Sequence, residues 1–338
     1  MAAPTMRVAA IVPARNAAHS LGACLDALRD AAAAGYLDAI VVIDDRSNDR
    51  TAAVAREYGA RVIDGEGRGP AAARNLGARS VEADVLLFLD ADTAPRTACI
   101  PALVAPFADR TVGAVKGRYV TAQRSLVARF AQLEFEEKYE LLAAAAEIDF
   151  VDTGVAAFRA EPLRAAGGFD EGFATPSAED VDLGYRLAAD GWRIVFAPSA
   201  VVEHRHPESL RDFLGRKARY GRYRVVVYRK FPRKAVRDSY TPPTTRPQII
   251  LAAAIFSLAP LIPFGSFPQT LWLGAVSAFG LSTLSLLRRS LTSDPGLAPF
   301  VPPLALARAT AQGVGLALGI ADLLRARRSS PGRDRAIA

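Results

Sequence analysis

The sequence predicts an α/β fold, a mixed and mostly parallel sheet flanked by helices, followed by a C-terminal region of membrane helices. Three observations carry this reading. Short apolar runs alternate with loops and helical stretches through the N-terminal part. Several of those runs end in polar clusters, as strands do at the ligand edge of an open sheet. Two later segments contain no charge at all.

The elements follow in order. Residues 7–12 (RVAAIV) read as a strand buried on both faces, and 19–33 as an alanine-rich helix. A second strand at 39–43 (AIVVI) leads through a polar turn to a helix at 50–58. A short strand at 61–63, a helix at 70–80 and an all-apolar strand at 84–89 (DVLLFL) complete the regular beat. Beyond residue 110 the pattern loosens: a strand at 112–116, a long helix near 124–146, a glycine-rich stretch from Thr153 to Gly172, a helix at 179–190 and a strand at 193–196.

Charge divides the chain into regions. Residues 1–210 carry a net charge of −8, residues 211–243 carry +9 and residues 244–338 carry +6. The basic character therefore belongs to a collar after the first domain and to the tail. The collar runs straight into apolar sequence, which favours a membrane surface over nucleic acid as its partner. Two cysteines, Cys24 and Cys99, are too few for a disulfide framework and lack metal-site spacing. The apolar run at Val8–Val12 is too short for a secretory signal and stops at Pro13. The expectation is a catalytic head on the cytoplasmic face of a cell membrane.

Segments 248–264 and 269–287 are free of charge and, as helices, would reach about 25 and about 29 Å, near the hydrocarbon thickness. A Gly-Ser turn between them suggests a hairpin, with Arg288 and Arg289 returning to the cytosol. Pro260 and Pro263 allow a kinked or re-entrant first arm. The stretch 300–324 contains Arg308, Gln312 and Asp322 and reads as an interfacial or re-entrant helix, with a third span as the alternative. The expected organisation is a catalytic domain at 1–210, a basic juxtamembrane collar at 211–243, a membrane region at 244–328 and a disordered tail at 329–338.

Asp90-Ala91-Asp92 is the centre of the chemical reading. It follows a fully apolar strand, so its acids emerge where a ligand edge should be. In extended geometry residues i and i+2 point the same way. Two hard oxygen ligands suit Mg²⁺ or Mn²⁺ held against a diphosphate. Asp44 and Asp45 follow the second strand, where a carboxylate can accept hydrogen bonds from a base or ribose; Ser47 or Asp49 can cap the next helix. The run Gly65 to Pro70 fails a dinucleotide spacing, since proline stands where a third glycine is needed. Arg74 can pair with phosphate or stack on a base, or form a surface ion pair. Glu179 and Asp180 open a helix, as dipole partners or as a base near the donor. His204 and His206, two of only three histidines, can meet metal or phosphate.

These pieces together resemble the family 2 glycosyltransferases. The matching strings are VPARN at 12–16, VIDDRSNDRT at 42–51, RGPAAARNLGA at 68–78, LDAD at 89–92, GVAAFRAEPLRAAGGFDE at 154–171 and AEDVDLGYRL at 178–187. The resemblance implies the GT-A fold of nucleotide-diphospho-sugar transferases. It implies an inverting transfer of a sugar from a nucleotide-diphosphate donor to an acceptor hydroxyl; the membrane anchor suggests that this acceptor is lipid-linked or a cell-envelope glycan. It also implies roles. Pro13 and Arg15 would lie beside the nucleotide base, and Asp44 or Asp45 would contact base or ribose. Arg74 and Glu179 would help hold the nucleotide sugar. Asp90 would face ribose and metal, Asp92 would ligate the metal, and His204 would approach metal or diphosphate, with His206 as the alternative. Asp180 would be the catalytic base. The Gln-x-x-Arg-Trp motif of processive members is missing, and GRKARYGRYR at 215–224 stands in its region, which favours transfer of a single sugar. Rival readings are a sugar nucleotidyltransferase and a membrane scaffold with a relict site.

Overall fold

A computed structural model describes residues 6–173 and 177–329. The expected tail lies, beyond Ser329, outside the described residues. The described chain forms two compact units. One holds the chain up to Gln123 together with Tyr139–His206, and the other holds Arg124–Lys138 and the chain from Pro207 onward. The segment Arg124–Lys138, assigned to the catalytic domain from sequence, thus clusters with the C-terminal unit.

The first unit begins with β1 (Val8–Ala14), α1 (Leu21–Ala33), β2 (Ala39–Asp44), α2 (Thr51–Glu57), β3 (Arg61–Asp64), α3 (Pro70–Arg79) and β4 (Val85–Leu89). Then come β5 (Thr93–Pro95), α4 (Cys99–Val104), β6 (Val112–Val120), α5 (Leu126–Ala143), β7 (Val155–Arg159), α6 (Ala160–Ala165), α7 (Glu179–Ala189) and β8 (Arg193–His204). One eight-stranded sheet runs in the order β3-β2-β1-β4-β7-β6-β8-β5. β3, β2, β1 and β4 are parallel neighbours, and β7 enters antiparallel between β4 and β6. All five residues of β4 are shut off from solvent, which is why that strand reads as an unbroken apolar run.

Three sequence expectations change here. The glycine-rich stretch contains a central strand, β7, and a short helix, α6. The strand expected at 193–196 continues to His204, where it pairs with β6 and β5. The Asp90-Ala91-Asp92 segment is not extended: the Asp90 carbonyl accepts from Thr93 N–H at 3.0 Å and from the Thr93 hydroxyl at 2.7 Å. A turn, not strand alternation, sets the direction of the two acids.

The second unit adds α8 (Leu210–Lys230), α9 (Thr245–Leu258), α10 (Ser266–Ser282), α11 (Leu284–Ser293) and α12 (Val301–Ser329) to the first part of α5. α9 tightens into a 3₁₀ turn over Ala259–Phe264, where Pro260 and Pro263 remove helical donors. Gly265, at φ +135°, reverses the chain into α10. The second expected hairpin arm is not one straight helix: α10 and α11 meet at Thr283 with a 42° bend. Among the described residues two helices, Thr245–Phe264 and Pro295–Arg325, are long and apolar enough to cross a membrane, or three if the bent pair acts as one span. The core of this unit includes Phe130 and Leu133 of α5, Phe213 of α8, Ile255 of α9, Phe279 of α10 and Ala305 of α12.

Candidate active site

The ends of β1 and β2 are knitted together. Asn16 N–H donates to the Ser47 hydroxyl at 2.9 Å, Asn48 N–H to the Asn16 side-chain oxygen at 2.8 Å, and Ala17 N–H to the Thr51 hydroxyl at 2.8 Å. Asn16 and Arg46 hold φ of 52° and 60°, sparsely populated values for non-glycine residues that cluster at functional edges. Pro13 and Arg15 sit on this edge, Arg15 exposed. Asp44 accepts from Ser47 N–H at 3.1 Å.

Asp45 is buried, and its two carboxylate oxygens accept from Gly67 N–H at 2.7 Å and Gly69 N–H at 3.0 Å. The glycine loop is therefore folded onto the acid. Gly67 and Gly69 both have positive φ, and Gly69 caps α3, whose first residue is Pro70.

α3 delivers Arg74 to the centre. Its guanidinium donates to Glu179 at 2.9 Å and to Asp90 at 3.1 Å, with only 4% of the residue exposed. This bridge joins the β4 turn to the start of α7, and its Arg74–Glu179 arm links residues 105 apart in sequence. Burial alone would lower the proton affinity of Arg74, but Asp90, Glu179 and Asp180 outweigh it. The next residue, Asn75, holds the α6–α7 connection through Phe169 and Glu171. Farther along α7, Asp182 and Arg186 pair at 2.9 Å, and Arg186 also donates to the carbonyls of Ala166 and Gly168. Asp182 is thus a pin, whereas Asp180 belongs to the charged centre.

Asp180 is pushed up to about 8, first by burial, then by the charges of Glu179 and Asp152; Arg74 and the Val181 N–H pull the other way. Its Oδ1 accepts from Val181 N–H at 2.7 Å. The participation of Asp152 was not foreseen. Asp152 pairs with Lys116 at 2.6 Å and accepts from the Tyr119 hydroxyl at 2.8 Å. Lys116 is 1% exposed within the apolar strand β6, packed near the rings of Tyr119, Tyr139 and Phe150. A single lysine inside a buried strand was the available signal, since such a charge needs a partner. A methyl group at Gly154 would collide with the Tyr119 hydroxyl and come within 3.0 Å of Asp90 Oδ2, so only glycine fits between them.

Pairing of β5 with β8 sets Thr93 opposite His204, one residue from Asp92. The His204 ring lies 4.7 Å from that of Tyr119 and 4.9 Å from that of His206. His206 is buried, and its backbone is held on both sides by the Gln123 side chain. Among the described residues no three His, Cys, Asp or Glu side chains form a ready metal cage. Two carboxylates on a turn still fit a hard cation whose remaining ligands are phosphate oxygens and water.

An eight-stranded, mostly parallel sheet that gathers acids at its strand ends has the GT-A fold. A mannosyltransferase from Pyrobaculum calidifontis, solved in complex with GDP-Man and Mn²⁺, shares that fold at a TM-score of 0.51 and 21% identity, over 98% of this chain and 89% of that one. Residues 9–167 match the profile of glycosyl transferase family 2. The pre-mycofactocin glycosyltransferase of Mycobacterium tuberculosis is 32% identical over 224 residues, 63% of this chain and 46% of that protein. The O-antigen chain rhamnosyltransferase RfbN of Salmonella typhimurium is 27% identical over 221 residues, 61% of this chain and 69% of that protein. The match spans about half the length of the first curated relatives, at 46% and 49%.

Proposed function

We propose that the protein transfers a single sugar from a nucleotide-diphosphate donor to an acceptor hydroxyl, with inversion, at the cytoplasmic face of a membrane. The carrying observation is the Arg74 bridge, which ties the Asp90 turn to Glu179, beside Asp180. Pro13, Arg15, Asp44 and Asp45 flank the nucleotide base and ribose; each Asp45 oxygen retains acceptor capacity beyond its loop amide. Arg74 and Glu179 hold the donor side. Asp90 and Asp92, with His204 nearby, would hold Mg²⁺ or Mn²⁺. When bound, that ion offsets the charge of the departing diphosphate.

Asp180 takes the proton of the acceptor hydroxyl. The acceptor oxygen then forms its bond to the anomeric carbon as the bond from that carbon to the diphosphate oxygen breaks, and nucleoside diphosphate leaves. A carboxylate whose proton affinity lies near working pH is well matched to this task. Asp152, held by Lys116, is among the acids whose charge raises the proton affinity of the base. The charge-free stretch 247–287 supports a membrane anchor and, with it, a lipid-linked or envelope glycan acceptor.

The test is product analysis with purified protein, a panel of nucleotide sugars and Mn²⁺ or Mg²⁺. Free nucleoside diphosphate supports transfer. Pyrophosphate would identify a nucleotidyltransferase, and no donor turnover would leave the relict-scaffold reading.

A further inference from the structure

We propose that α12, although long and apolar enough to cross a bilayer, lies along the membrane surface on the arginine-rich helix α8, so that the α9–α10 hairpin alone enters the hydrocarbon. This rests on the membrane attachment proposed above and refines how it is made.

Composition makes α12 a candidate span, and its contacts argue otherwise. Arg308 is buried and donates to Glu134 at 2.6 Å and to the Gln248 side chain. Glu134 also holds Lys217 of α8 at 2.8 Å. This network fixes Arg308 at the level of Glu134 on α5 and Lys217 on α8, both charged helices. From there α8 and α12 run in the same direction. A methyl at Gly315 would strike the Ala218 carbonyl, and one at Gly319 would strike the Arg222 carbonyl, so the two backbones touch. Farther on, Arg222 pairs with Asp322 at 2.6 Å.

α12 therefore cannot enter hydrocarbon without carrying α8 with it. Along the shared length α8 bears Arg219, Arg222, Arg224, Arg229 and Lys230, with Arg222, Arg229 and Lys230 exposed. Charged side chains deep in a bilayer are costly unless they face a protein interior or water. A helix with an apolar outer face and a cationic neighbour suits the headgroup boundary instead. Val314, Leu318, Ile320 and Leu324 supply that outer face. The α9–α10 hairpin differs, because no charged residue occurs between Arg246 and Arg288. Its tip exposes Phe264 and Phe267.

The two arrangements place the ends of α12 differently. A spanning helix puts Ser293 and Arg325 on opposite faces, and a surface helix puts them on one. Full-length Ser293→Cys and Arg325→Cys variants, whose native Cys24 and Cys99 are buried, are treated with a membrane-impermeant maleimide before and after permeabilisation of the cells. Both variants are expected to react only after permeabilisation. Reaction of Arg325→Cys in intact cells, with Ser293→Cys protected, overturns the proposal. Reaction of both in intact cells keeps α12 on one face and overturns the cytoplasmic orientation of the proposed function instead.

Discussion

Each unit buries a charged cluster, and the two clusters are opposite in sign. In the N-terminal unit one arginine, Arg74, meets Asp90, Glu179 and Asp180. In the C-terminal unit one carboxylate, Glu134, meets Lys217 and Arg308. The titration of each cluster reports the difference. Asp180 is pushed up to about 8 by burial and by neighbouring acids. Glu134 is held down to about 2, its burial outweighed by the charges of Lys217, Arg308 and Lys138. A satisfied network fastens helices. A cluster with surplus acid holds folding energy in reserve for a cation or a proton, as active sites do.

The largest break in the comparison is chemical. Asp180→Asn keeps the shape of the N-terminal cluster but removes its proton acceptor. Turnover of the donor with acceptor is expected to fall about 10³-fold, within the range for loss of a general base. Nucleotide binding, followed by titration calorimetry, should persist.

Breaking the other cluster should affect stability instead. Arg308→Leu leaves Glu134 buried with one partner fewer. Removing one member of a buried pair costs about 3–5 kcal/mol, read as a lower midpoint of thermal or denaturant unfolding in detergent.

The third prediction uses pH. Glu134 binds its proton less tightly folded than unfolded, so its stabilisation is present above about pH 4.5 and lost as pH falls toward 2. Glu134→Gln should cost about 3 kcal/mol at neutral pH, with the gap to wild type closing through that acid window.

Asp180 should show the reverse slope, on a smaller scale. Its folded carboxyl binds a proton more tightly than the unfolded one, so stability is lost as pH rises from about 4 through 8. Asp180→Asn removes that loss. The variant should match wild type near pH 4 and exceed it by about 2 kcal/mol at pH 8, allowing for the group's partial solvent access. Parallel stability curves for the two proteins would remove the contrast between the clusters.

Much of the first unit was legible because its strands are unbroken apolar runs. β1, β2 and β4 appear where the pattern placed them, and the charged edge follows their ends. β7 was hidden because Val155-Ala156-Ala157-Phe158 is short and follows Gly154, so local glycine content outweighed its strand character. Its place between β4 and β6 depends on partners far away in sequence. The Arg74–Glu179 bridge and the identity of the Lys116 partner, Asp152, were beyond reach for the same reason, since spacing along a chain does not encode such contacts. The candidate site residues were proposed from ordered motifs, but the turn at Asp90–Thr93 was not legible, because strand alternation does not carry past the end of β4 at Leu89. In the second unit, hydropathy located the apolar helices. It was blind to the 42° bend between α10 and α11 and to the partner helix that α12 contacts.

Asp45 and its two amides have a consequence for ligand capture. Gly67 and Gly69 would otherwise sample many backbone states, and the carboxylate selects one before any ligand arrives. The entropy of ordering that loop is therefore lost when the chain folds, not when a nucleotide docks. Recognition at this edge becomes a meeting of finished surfaces, with a rate of capture set by diffusion and orientation and not by a loop waiting to close.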